Sequence, residues 1–251
     1  MIADIVFDIP IDHAFSYVVP VGLALHRGQR VSAPLSGRSR VGVVVALREG
    51  ETAGLKPLQR AVEPVPVLSD AGLELTRWAA GESLSSWGST LLSLLPPAPR
   101  AFAAETVSPP ANPSAGRPRR PELWTDQRRE ARLAEALERD AGAALVIAPD
   151  REAAARWARR LDAARLDSGV SEPERRQAWF AASRGRRRVV VGTRSALLAP
   201  LPPPATLALI DEHDPGHKPP GAPRLHSRDL LLRRAALDGS RLLLLSATPS
   251  V

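Results

Sequence analysis

The chain has 251 residues, 44% hydrophobic and 24% charged, which provides enough apolar material for a packed core and argues against global disorder. It has no Cys, which excludes a disulfide scaffold, a thiolate metal site and a thiol nucleophile, and no apolar run reaches the roughly 18–20 residues that cross a bilayer. Lys and Arg total 34 against 27 Asp and Glu, and the resulting +7 suits a polyanionic partner, nucleic acid first; only Lys56 and Lys218 are lysines, so an arginine-rich coding bias explains the same excess.

Residues 1–67 are rich in Val and Ile, with turn residues at short intervals. Segments 3–7, 29–33 and 41–47 read as strands broken by Pro10, Gly22, Gly28 and Pro34, and they predict a small curled sheet or barrel. Helical spacing of Leu73, Leu75, Trp78 and Ala79 predicts a helix over 70–80 that Ser69 or Asp70 can cap. A second short helix over 90–95 is stopped by Pro96-Pro97, closing a first domain over 1–95. Residues 96–121 hold eight prolines and the cluster Arg117, Arg119 and Arg120, the composition of a semi-rigid linker. Residues 122–251 then alternate: helices over 126–139, 152–161, 173–182 and 225–237, strands over 143–148, 189–192, 206–210 and 242–245. Short, continuous apolar strands between helices predict an α/β domain whose parallel sheet is covered on both faces.

Ligands of such sheets bind beyond the carboxyl ends of the strands, so the residues after each strand carry the chemistry. These are Pro149-Asp150, then Gly192-Thr193-Arg194-Ser195, then Asp211-Glu212-His213-Asp214, then Ser246-Ala247-Thr248-Pro249-Ser250. An acidic pair after an apolar strand suits magnesium and an attacking water; a Gly-Thr-Arg turn offers donors to phosphate; a Ser-Ala-Thr turn can sense such a site through hydrogen bonds. His213, His217 and His226 with Asp211 and Asp214 could in principle gather a metal, a possibility the sequence does not favour.

Residues 189–200 (V-V-V-G-T-R-S-A-L-L-A-P) and Asp211-Glu212-His213-Asp214-Pro215-Gly216-His217-Lys218 resemble the Ib region and the D-E-E-H-D-x-x-Y-K segment of the PriA family of replication-restart helicases. Residues 223–229 resemble P-R-Y-H-A-R-D, residues 246–250 S-A-T-P-S, and residues 167–175 H-S-G-L-S-x-x-E-R. Near the start, Phe15-Ser16-Tyr17, Gly28-Gln29-Arg30-Val31 and Gly42-Val43-Val44 are similar to F-D-Y, G-x-R-V and G-I-V-V. The resemblance implies a β-rich DNA-binding domain that grips the 3′ end of a nascent strand, followed by a RecA-like helicase lobe. Phe15 or Tyr17 would stack on the terminal base and Lys56 would meet its phosphate; of the two rings, the alternation suggests one in the core and one at the surface. Arg194 and the basic run 184–188 are the corresponding DNA contacts expected in the lobe, with a solvated surface as the alternative for the run.

Several family features are missing. No G-x-x-x-x-G-K-[S/T] occurs, and no Gly or Lys lies between Arg117 and Asp140, where the phosphate loop belongs. The acidic segment has one carboxylate fewer, Ser16 stands for the family's Asp, and Leu35-Ser36 for its F-G. A proline-rich stretch replaces the winged helix, and the sequence holds no second motor lobe and no cysteine-rich zinc insertion. The reading is therefore a degenerate short form, cytoplasmic, that binds branched or 3′-ended DNA at stalled forks without its own helicase activity. ATP, magnesium and zinc are not expected, and other primosome proteins and single-strand-binding protein are candidate partners. An N-terminal fragment of an ATP-dependent helicase and a non-catalytic primosome scaffold are the alternatives. The residues in question are Asp211, Glu212, His213, Ser246 and Thr248 in the eroded motor segments, and Phe15, Tyr17, Lys56 and Arg194 toward DNA.

Overall fold

A computed structural model describes residues 1–99, 117–221 and 223–249; most of the expected linker, Ser250 and Val251 lie outside the described residues. The contacts divide the chain into two units, the first containing Met1–Ser93 and the second the described residues from 117 onward.

The first unit is built on an antiparallel sheet of β1 (Ile2–Phe7), β2 (Phe15–Val18), β3 (Arg30–Leu35), β4 (Arg38–Arg48) and β5 (Arg60–Ala61), in the order β2-β1-β4-β3-β5. β-Branched residues at Val41, Val43, Val44 and Val45 suit the long central strand β4. It turns back from β3 through Ser36 and Gly37, both at positive φ (49° and 77°), which gives the twist a two-residue hairpin requires. Ala3, Ile5 and Phe7 of β1 point to one face and pack with Tyr17, Val31, Ala33 and Val44. Within this β-rich body Arg30 and Glu63, both essentially inaccessible to solvent, form an ion pair, and Gln29 Nε2 donates to the Glu63 carbonyl at 2.7 Å. Helix α1 (Asp70–Glu82) starts at Ser69, whose hydroxyl accepts from the Gly72 amide. Helix α2 (Trp87–Leu94) starts earlier than the hydrophobic spacing indicates, because the Ser86 hydroxyl and the Asp12 carboxylate accept the amides of its first turn.

The second unit is a wholly parallel sheet, order β6-β11-β10-β7-β9-β8, as the resemblance to a RecA-like lobe implies. In chain order it runs β6 (Glu122–Trp124), α3 (Arg129–Arg139), β7 (Ala144–Ile147), α4 (Arg151–Arg160), β8 (Ala164–Leu166), α5 (Glu172–Ser183), β9 (Val189–Gly192), β10 (Thr206–Leu209), α6 (Ser227–Asp238) and β11 (Arg241–Leu245). All residues of β7, β9 and β10 are buried, the pattern of strands covered on both faces. Helix α5 opens with a capping box between Ser171 and Glu174, with Pro173 in the first turn. The edge strands β6 and β8 were not among the strands expected from sequence. Each has three residues with a single buried one, so the apolar run that marks the inner strands is missing. β6 is instead pinned by Arg241 of β11, whose Nε and Nη2 donate to Glu122 Oε1 and Oε2 at 2.6 and 2.8 Å.

A Cβ on Gly88 would lie 1.8 Å from the Phe7 carbonyl oxygen, so α2 approaches β1 as closely as it does only because this residue has no side chain. Gly88→Ala is therefore expected to lower the urea-unfolding free energy by roughly 1–3 kcal/mol in spite of alanine's better helix propensity. An unchanged midpoint would contradict this packing.

Candidate nucleic-acid interface and the carboxyl edge of the parallel sheet

Phe15 and Tyr17 lie two residues apart on β2 and therefore face the same side of the sheet, where both meet the Phe7 ring edge-on at centroid distances of 5.8 and 6.1 Å. They differ in depth. Tyr17 is a core residue whose hydroxyl donates to the Pro34 carbonyl at 2.9 Å, and burial pushes its phenol pKa up. The expectation that one ring is core and the other superficial by alternation is thus corrected: the two share a face, and Phe15 lies at its half-buried rim. There the exposed His13 ring tilts against Phe15 at a centroid distance of 4.2 Å. His13 was not singled out in the sequence: it lies at a bend two residues before β2, where no strand periodicity marks it.

Ser16 points to the opposite side. Its Oγ donates to Asp4 Oδ1 at 2.7 Å across the β1–β2 pairing and accepts from Arg48 Nη2 at 3.1 Å, and Arg48 Nε reaches Asp4 Oδ2 at 3.0 Å. Burial raises the Asp4 carboxyl, but the hydrogen bonds from Arg48 and Ser16 and the Arg48 charge outweigh it and leave the pKa below the ordinary value. A carboxylate thus stands directly beside Ser16, on a strand that only the register brings there.

Lys56 is exposed, and its backbone runs beside the end of β2: Val18 N donates to the Lys56 carbonyl at 3.0 Å and Leu58 N to the Val18 carbonyl at 3.1 Å. The fold therefore brings Lys56 alongside the strand that carries Phe15, from 41 positions away in sequence. Arg38, Arg40 and Arg60 on β4 and β5 are also exposed.

At the carboxyl edge of the parallel sheet each polar cluster bonds within the chain. Asp150 caps α4, accepting from Ala153 N at 2.8 Å. Arg194 was expected to offer its guanidinium to phosphate, but Nη1 and Nη2 donate to the carbonyls of Leu225 and Pro223 at 3.0 and 2.7 Å, and burial lowers its pKa. Asp211 has a left-handed backbone (φ 48°). Glu212 is buried and paired with Arg228 of α6, Oε2 to Nη1 at 3.2 Å. His213 Nδ1 lies 2.7 Å from the Oγ of buried Ser246, whereas Thr248 is exposed. His217 is buried with Nε2 bonded to the Ile210 carbonyl at 2.8 Å, and the His226 ring accepts from Arg228 N. Among the described residues no three His, Asp or Glu side chains gather to hold a metal. The basic run 184–188 precedes β9 and so lies at the opposite, amino edge of the sheet from Arg194; Arg186 and Arg187 are exposed, and Arg188 Nη1 donates to the carbonyls of Asp140 and Gly142.

A triphosphate belongs, by the resemblance, at the turn between β6 and α3. Leu123-Trp124 is strand and residues 125–128 form the turn, so α3 starts three residues later than the helix expected over 126–139. The turn has neither Gly nor Lys, and its anion is its own: Asp126 Oδ1 accepts from Arg128 N at 3.0 Å and Oδ2 from Arg132 Nη1 at 2.6 Å. A phosphate cradle needs glycines that let successive amides face one anion and a Lys for its oxygens; with neither present and the Arg128 amide already held by Asp126, these residues do not fit the group.

Comparison with known proteins defines the class. Residues 4–96 match the family described as the PriA 3′ DNA-binding domain (3′BD), so the first unit is of that domain type. Along 99% of its length the chain is 26% identical to the replication restart protein PriA of Treponema pallidum, of which it covers 44%. It is 40% identical over 85 residues to PriA of Synechocystis, and 33% identical over 121 residues to the probable replication restart protein PriA of Mycobacterium tuberculosis, matching 10% and 18% of their lengths. The chain is PriA-like, and it spans less than half the length of these relatives.

Burial holds the His217 imidazole below its ordinary value of 6.5, against the raising effects of the Ile210 carbonyl and of Asp214, Asp211 and Glu212. A depressed folded pKa means that the unfolded chain binds more protons, so this contribution is present above the unfolded value and is lost as pH falls toward the folded one. Unfolding free energy is expected to drop from pH 7 to pH 5, with a slope shallower in His217→Asn by up to ~1.4 kcal/mol per pH unit. Equal slopes in urea titrations would remove His217 from the account.

Proposed function

We propose that this chain grips 3′-ended or branched DNA at stalled forks and serves replication restart by binding rather than by driven strand separation. The observation that carries the reading is the match of residues 4–96 to the 3′ DNA-binding domain. The geometry supplies the chemistry that such a grip needs. The His13–Phe15 pair offers an aromatic surface to a terminal base, with Tyr17 beneath it as core support, and exposed Lys56 offers a cation to the terminal phosphate. Arg186 and Arg187 at the amino edge of the parallel sheet are the second set of phosphate contacts in this reading, and Arg194 passes from DNA contact to loop anchor. Other primosome proteins and single-strand-binding protein are proposed partners from the resemblance alone. No described helix is long and apolar enough to cross a membrane.

The test is fork binding by fluorescence anisotropy over a range of salt. Affinity should fall steeply with salt, and Lys56→Ala should weaken binding to a 3′-ended fork by roughly 3- to 10-fold and reduce the salt slope by about 1. Binding to blunt duplex should change less. Equal affinity for both DNAs in wild type and variant would remove end recognition, and no binding even at low salt would leave the scaffold reading.

A further inference from the structure

The carboxyl edge of the parallel sheet raises the question of what holds it together. In a nucleotide-hydrolysing lobe two charges come from outside: an anion at the amino end of the first helix and a divalent cation at the acidic pair. Both places are filled here by side chains of opposite sign to the groups that would receive the ligand. In the turn that leads into α3 the anion is the exposed Asp126 carboxylate, held by the amide of the N-cap residue Arg128 and by Arg132, whose guanidinium also lies 4.0 Å over the Trp124 ring. At the acidic segment the cation is Arg228, paired with the buried carboxylate of Glu212.

The second replacement is itself built from the motif residues. Arg194 fixes the carbonyls of residues 223 and 225, immediately before α6, and Ser227 Oγ donates to the His217 carbonyl at 3.2 Å. These bonds set the first turn of α6, and with it Arg228, over Glu212. On the other side Glu212 N donates to the Leu245 carbonyl at 2.9 Å and Ser246 N to the Trp124 carbonyl at 3.1 Å, which joins the ends of β10, β11 and β6. Of the two hydroxyls of the Ser-Ala-Thr turn, that of Ser246 is bonded to His213, and that of Thr248 lies on an exposed residue.

We infer that Asp126 and Arg228 are intramolecular surrogates for the phosphate and the metal, so that this unit is folded and competent in a nucleotide-independent state. The inference rests on the PriA-like reading of the lobe but not on DNA binding. It concerns how the lobe is held, and it assigns a positioning role to Arg194 and Arg228.

The test uses the full chain in thermal unfolding with ATP and Mg²⁺ titrated to several millimolar, far above ordinary nucleotide affinities, with binding of a 3′-ended fork measured on the same sample. The melting temperature should not move with ATP–Mg²⁺, and fork affinity should stay within about twofold with and without it. Arg228→Gln and Asp126→Ala should each lower the melting temperature by a few degrees, and ATP–Mg²⁺ should restore neither. A saturable rise with ATP–Mg²⁺ in wild type overturns the inference, as does wild-type stability in both variants. Should a variant fail to fold, the wild-type titration alone decides. Loss of fork binding with an immobile melting temperature refutes the proposed DNA grip and leaves the surrogates standing.

Discussion

A parallel sheet brings the carboxyl ends of all its strands to one edge, where the chain must leave the ladder and every loop must find partners for its polar groups. The rest of the second unit follows from how this edge is satisfied. Arg194, Glu212, His213, His217 and Ser246 all lie there, and each bonds to another part of the chain. Side chains that the sequence places as ligand-facing are thus turned inward. A guanidinium with both Nη groups directed at backbone carbonyls is turned away from a phosphate, and a buried carboxylate already neutralised by Arg228 has little attraction for a metal ion. The arrangement keeps the outline of a motor lobe and replaces its exchangeable charges with covalently attached ones.

The first unit makes the opposite use of its surface. Its sheet buries Tyr17 and Phe7 but leaves Phe15 at the rim, His13 against it and Lys56 beside the same strand. An aromatic face at one end of a strand and a cation beside its other end can hold a strand end without reading sequence, since every base has a π-face and every nucleotide a phosphate. The outer face of the same strands carries Asp4, Ser16 and Arg48 as one hydrogen-bonded group, so the polar side of β2 is ordered as well.

Much of this was legible in the residues. Continuous apolar runs announced β7, β9, β10 and β11, the Val-rich run announced β4, and Ser69 before Leu73 announced α1. What was not legible depended on contacts distant in sequence. β6 and β8 are short edge strands held by the neighbours they pair with, and by Arg241 in the case of β6, rather than by their own composition. Asp4 meets Ser16 only through the β1–β2 register, and the difference in depth between Phe15 and Tyr17 follows from the Pro34 carbonyl, which gives Tyr17 a buried partner. Arg194 looked like a phosphate donor because its motif neighbours are polar; its partners are main-chain carbonyls about 30 residues away, which no side-chain pattern encodes.

The central claim is that a DNA end is held by the first unit while the second needs no nucleotide to stay assembled. Photo-crosslinking from a reactive base at the 3′ terminus of a model fork, read by peptide mass spectrometry with and without ATP–Mg²⁺, addresses both halves at once. The account predicts crosslinks within residues 13–18 and 55–58, at the same yield in either condition. Crosslinks confined to the parallel unit, or appearing only when nucleotide is added, would contradict it.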